Sequence, residues 1–299
     1  MVNEERYDGP ANAWGRWGPD DERGAANLID QAAVRRGSAT VRSGDVVSLA
    51  LPMRAGFGST AVGRQPLQHF MTRDGGDYRA GDRERPGFGF ADDYVLLGTH
   101  GGTHIDALAH IWQDGLMYNG FPASAVTSRG ASVCGIERVG PIVTRGLVVD
   151  LVPASQPYLA PGQLIGVEAL RRAVRQTGVE IMPGDALLVR TGWSDAWLCG
   201  AADTEAWPGL DLDCAEWIVE RGIALVGADN VAVEGFPSSD PSCQAPLHVE
   251  LIRNHGIYLC ELMSLTEICA RGRPDFLFVA SPLPLSRAVG SPINPVAVL

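Results

Sequence analysis

The chain has 299 residues, 45% of them hydrophobic and 20% charged, which is the balance of an ordinary globular protein and excludes disordered and fibrous classes. Its formal charge of -11 at pH 7, with no Lys/Arg cluster, argues against nucleic acid or an anionic membrane as a partner. No apolar run reaches the roughly 20 residues of a membrane span, and the acidic N-terminus lacks a signal-peptide pattern, so a cytoplasmic location is expected.

Nothing in the sequence forces a division of residues 1–299, and a single domain is expected, opened by an extension over residues 1–45. The apolar run 46–51 reads as a strand. Residues 54–92 are rich in Gly, Arg and Asp without apolar periodicity. They are expected to form a long loop, either a cover over an active site or a poorly ordered insertion. Further short apolar runs bounded by Gly or Pro, at 147–152, 186–190, 223–227 and 257–260, read as strands. Between them, Val167, Leu170 and Val174 share a helical face that ends at Gly178. Residues 214–221 follow the capping-box pattern Asp213-x-x-Glu216 and stop at Gly222. Strands alternating with helices indicate an α/β fold with a mixed sheet and flanking helices. The six cysteines have no CxxC spacing and read as reduced and mostly buried.

The chemistry concentrates in His100-Gly-Gly-Thr-His104-Ile-Asp106-Ala-Leu-Ala-His110. A single histidine is more often a satisfied core or surface residue, but three within eleven residues, with an aspartate among them, point to a site. On a helix Asp106 would point away from His104, and Gly101-Gly102 disfavours helix. In an extended segment His104 and Asp106 project to the same side. The expected geometry is a glycine turn delivering His100, a short strand delivering His104 and Asp106, and a bend or helix start carrying His110. Two imidazoles and a carboxylate suit a borderline divalent cation, and the missing thiolate argues against a closed structural zinc site. Such an ion with an open position activates water and polarises a carbonyl, leaving His110 free as general base and acid. His69, His255, His248 and Glu261 carry no signal when read alone. No G-x-S-x-G, H-E-x-x-H, G-x-G-x-x-G or Walker pattern is present.

The same segment closely resembles the H-x-G-[TA]-H-x-D-[AS]-P-x-H signature of the cyclase family of metal-dependent hydrolases, which includes bacterial kynurenine formamidase and isatin hydrolase. Gly184-Asp185 through Arg190-Thr191-Gly192-Trp193, the block from His248 to Glu261, the ending from Leu283 to Pro292, and Trp17 to Asn27 resemble further family stretches. The resemblance implies a swivelling β/β/α fold and a homodimer or homotetramer. It also implies a metal site of His100, His104 and Asp106, where Asp106 can bridge to a second ion held by His248 and Glu261. His110 would be the catalytic acid/base. Zinc and manganese both fit this ligand set, with one or two ions per chain. Leu108 stands where the family usually has proline, a change that removes no functional group. The expected function is hydrolysis of a C–N bond in a small cyclic or aromatic amide, with Trp112, Phe121, Trp193, Trp197 and Trp207 as candidates for an aromatic wall. The rival expectations are lactone hydrolysis, or cyclisation or dehydration of a natural-product intermediate, and a non-catalytic metal-dependent binding protein.

Overall fold

The computed structural model describes residues 12–54, 64–80 and 88–299. Its main strands are β1 (Val46–Ser48), β2 (Gln68–Arg73), β3 (Asp92–Leu96), β4 (His104–Asp106), β5 (Ile142–Asp150), β6 (Ala186–Arg190), β7 (Leu225–Ala228), β8 (Tyr258–Glu261), β9 (Asp275–Ala280), β10 (Gly290–Pro292) and β11 (Val296–Val298). All but β2 and β3 belong to one nine-stranded sheet in the order β1-β11-β9-β5-β6-β7-β8-β4-β10. Neighbours from β5 to β8 run parallel, and the remaining pairs are antiparallel. The fold is therefore mixed α/β, as the alternation of elements predicts.

Burial follows from this arrangement. Parallel strands are covered on both faces and read as continuous apolar runs. Every residue of β7 and β8 is buried, as are the first four of β6. The antiparallel β9 instead alternates, with Phe276, Phe278 and Ala280 buried and their neighbours half-buried. Helix α1 (Gln31–Ser38) packs on β5 and β9, and α2 (Val167–Thr177) packs on β5. Helix α2 buries Leu170 and Val174 and ends at Gly178, whose φ of 70° is the left-handed cap that glycine adopts without strain. Among the described residues no helix is long and apolar enough to cross a membrane.

Two local expectations are revised. Helix α3 (Cys214–Glu220) forms, but Asp213 has a helical backbone and does not cap it. The Asp213 carboxylate accepts a hydrogen bond from Val167 N at 3.0 Å, capping α2 instead. The segment expected to be a loop over 54–92 contains the β2–β3 hairpin and a one-turn helix, Gly75–Arg79; residues 55–63 and 81–87 lie outside the described residues. All but one residue of the two strands are exposed, so no buried face imposes an apolar period on the sequence. The segment before β1 is tied into the body: Asp21 accepts from Tyr118 Oη and Glu22 accepts from Cys134 N, while Ala25 and Ala26 enter the core. Of the six cysteines, all free, Cys134, Cys214 and Cys260 are buried and Cys199 is exposed.

Candidate metal centre

Strand β4 is three residues long and lies between β8 and β10. Its register sets His104 directly opposite Glu261, and Ile105 opposite Cys260. Because side chains alternate across a strand, His104 and Asp106 share one face with Glu261 while Ile105 enters the core. The turn before β4 supplies His100, whose Nε2 lies 3.2 Å from Asp106 Oδ1. Gly290, opposite Asp106 on β10, makes room for that ring: a Cβ there would sit 2.5 Å from His100 Nε2. Thr103 anchors the turn, its hydroxyl donating to the Leu262 carbonyl and accepting from Leu51 N.

After β4 the chain bends through Ala107, Leu108 and Ala109, all buried, with His110 N donating to the Ala107 carbonyl at 2.9 Å. The bend stacks the His110 ring on His100, with centroids 4.2 Å apart. The turn, strand and bend match the geometry expected from spacing. His248 arrives on a short helical turn, Pro246–His248, with Nε2 3.1 Å from Glu261 Oε1 and 3.8 Å from Asp106 Oδ2. Thus the structure brings together all six residues singled out: His100, His104, Asp106, His110, His248 and Glu261.

Hydrogen bonding fixes which nitrogens face inward. His104 Nδ1 lies 2.7 Å from the Gly102 carbonyl, which can only accept, so Nδ1 carries a proton and Nε2 is the nitrogen turned toward the carboxylates. That Nε2 is 3.2 Å from Glu261 Oε2 and 3.5 Å from Asp106 Oδ1. Glu234, which spacing did not single out, does the same for His248. Its carboxylate accepts from His248 Nδ1 and from the backbone N–H groups of Leu247 and His248 at 3.1 Å each. A carboxylate behind a histidine is a common means of orienting a metal ligand.

The cluster demands positive charge. Burial opposes ionisation of Asp106, yet the surrounding His110, His100 and His104 rings hold it well below the usual carboxylate range. Burial and the Asp106 charge likewise oppose ionisation of Glu261, but His104 and His248 bring it below its ordinary value. Burial depresses His104, but the facing carboxylates of Asp106 and Glu261 prevail and raise it to about 9. Burial dominates at His110, which falls to about 4 and is neutral at pH 7. Four buried atoms nevertheless lack a hydrogen-bond partner: His100 Nε2, His104 Nε2 and both oxygens of Asp106. Buried polar atoms are seldom left so. Ligand atoms of His104, Asp106 and Glu261 all lie within 4.8 Å of one another, as do those of His100, Asp106 and His110. This set of imidazoles and carboxylates fits a divalent cation.

One side of the cluster opens on a cavity of about 470 Å3, lined among others by His110, His248, Glu261, Trp207, Phe236 and Arg64. Trp207 and Phe236 stack 4.8 Å apart and form the aromatic wall. Trp193 and Trp197 stack on each other, and Trp193 is buried in a side core; Phe121 packs on the main core and Trp112 is exposed. Of the five aromatics considered from sequence, Trp207 alone lines this cavity. Two β-branched or bulky residues beside the acidic groups have left-handed backbones, Val233 at φ 59° and Leu262 at φ 54°. Such strain costs on the order of 1–3 kcal/mol per residue and is concentrated at functional sites. Asn230 holds the first, its Oδ1 accepting from Val233 N at 2.7 Å.

A family model described as "Putative cyclase" matches residues 47–235. Isatin hydrolase from Roseibium aggregatum is 26% identical over 217 residues, covering 70% of this chain and 75% of that protein. A kynurenine formamidase from Bacillus cereus is 37% identical over 204 residues, covering 68% and 77%. Among solved structures, the crystal structure of a novel cyclase aligns with a TM-score of 0.89 at 36% identity, covering 97% of this chain and 98% of that one.

Proposed function

Since this chain belongs to the cyclase family, we propose that it is a metal-dependent hydrolase of non-peptide C–N bonds, acting on a small aromatic or cyclic amide. The observation that carries this reading is the convergence of partnerless buried nitrogen and oxygen atoms beside a cavity that also holds a neutral histidine. His100, His104 and Asp106 would hold the ion, with His248 and Glu261 completing the site or holding a second one. Zinc or manganese, when bound, supplies Lewis acidity toward a carbonyl oxygen and lowers the pKa of water.

The chain's own residues do the rest. The cavity is large enough for a small-molecule substrate, whose ring would lie on the Trp207–Phe236 wall. His110, neutral and facing the cavity, takes a proton from the attacking water and returns it to the leaving nitrogen. Its stacking on His100 holds the ring at the edge of the cavity. The names of the curated relatives, both hydrolases of amide-type C–N bonds, support the reaction class.

The test is a screen of N-formylated aryl amines, isatin-type lactams and cyclic imides, with wild type beside His110→Ala and metal saturating. His110→Ala is expected to keep its metal and lose about 100-fold or more in kcat. A histidine lowered to about 4 is in its base form above that value. The wild-type kcat/KM should therefore fall only as pH drops well below 6.5, and this limb should vanish in the variant. Unchanged turnover in His110→Ala would remove it from the mechanism.

A further inference from the structure

We propose that Arg64 is a specificity residue that holds a carboxylate of the substrate, making the preferred substrate an acidic aromatic amide. The inference rests on the hydrolase reading for turnover, and on Arg64's own surroundings for the charge of the ligand.

Among the described residues lining the cavity, Arg64 is the sole Lys or Arg. One of its terminal nitrogens donates to the His100 carbonyl at 2.9 Å, which tethers the guanidinium above the turn that carries the site. A guanidinium offers five N–H donors in a planar fork. That single bond uses one of them, and among the described residues no carboxylate pairs with Arg64. The cavity's own acidic groups are engaged elsewhere: Glu261 with His104 and His248, Glu234 with His248 and two backbone N–H groups. A half-buried cation with free donors, in a chain of charge -11, offers an anion the one favourable anchor among the described residues of this cavity.

The opposite requirement comes from the wall. Trp207 and Phe236, with Ile111 and Val231 beside them, accept an apolar ring and offer no charge. A substrate matching both surfaces has an aromatic body, its amide at His110 and a carboxylate reaching Arg64. Planar carboxylates suit the guanidinium fork, and a lysine at this position would lose the bidentate geometry.

The test compares 3-(2-formamidophenyl)propanoate with its primary carboxamide on the zinc-loaded full chain, wild type beside Arg64→Gln and Arg64→Lys, with metal content measured for each. Loss of a charge-assisted pair should lower the acid-to-carboxamide ratio of kcat/KM by roughly 10–100-fold in Arg64→Gln, chiefly through KM, with metal retained. Arg64→Lys should recover part of that ratio. An unchanged ratio, including an equal loss on both probes from a displaced His100, overturns the proposal. If wild type hydrolyses neither probe, calorimetric Kd values decide: tighter binding of the acid that depends on Arg64 upholds the anchor although the hydrolase reading has failed. Binding without that dependence, or no binding, overturns it.

Discussion

Glu234 ties three parts of the centre together through one residue. Its carboxylate orients His248, its side chain caps the turn at Leu247, and its carbonyl accepts from the indole N–H of Trp207 at 3.1 Å. Ligand and aromatic wall are thus referred to the same backbone point. Glu234→Gln preserves size and removes the charge that holds the His248 tautomer. It should lower metal affinity about 10–100-fold without unfolding the chain, read by competition with a chromophoric chelator; unchanged affinity would confine Glu234 to a packing role. Residue by residue, legibility tracked local spacing. His100, His104, Asp106 and His110 lie within eleven positions, so rarity and periodicity expose them. His248 and Glu261 gain meaning only through the family resemblance. Glu234 and Arg64, lone charges remote in sequence from the motif, gave no signal because their significance is wholly a matter of tertiary placement.

At the scale of elements, three residues of β4 do most of the positioning. The period of two sends His104 and Asp106 to the site and Ile105 to the core, and the flanking strands fix the register on either side. Gly290 on the neighbouring strand is the complementary requirement. In Gly290→Ala the new Cβ would meet the His100 imidazole at 2.5 Å, so the ring must move. The strand pairing itself is untouched. A fall in metal affinity of about tenfold or more with near-normal thermal stability is expected, measured by metal titration beside a melting curve; wild-type affinity would show that His100 adapts. The strands over 186–190 and 257–260 could be read from sequence because burial on both faces leaves unbroken apolar runs. The β2–β3 hairpin could not, since a strand pair exposed on both faces imposes no pattern. Asp213 was misread because a capping box records local sequence, whereas its side chain serves a different helix.

For the molecule as a whole, the central fact is a concentration of buried charge inside a well-packed α/β body. Three carboxylates, Asp106, Glu234 and Glu261, are almost wholly buried beside the imidazoles of His100, His104 and His248. Burying such charge without compensation is costly, and the rest of the core, from Phe276 and Phe278 to Ile105, offers no relief. A divalent cation removes the imbalance and partners the four orphaned atoms. The overall class was legible because alternating elements constrain layers, whereas pocket shape and substrate charge depend on residues brought in from distant segments. The most direct test is elemental analysis of the purified full chain, wild type beside His104→Ala, with circular dichroism confirming that both are folded. The account predicts about one or two zinc or manganese ions per wild-type chain, and their loss in the variant. A wild-type protein that takes up no divalent metal even when it is supplied, or a variant that keeps its full complement, would contradict it.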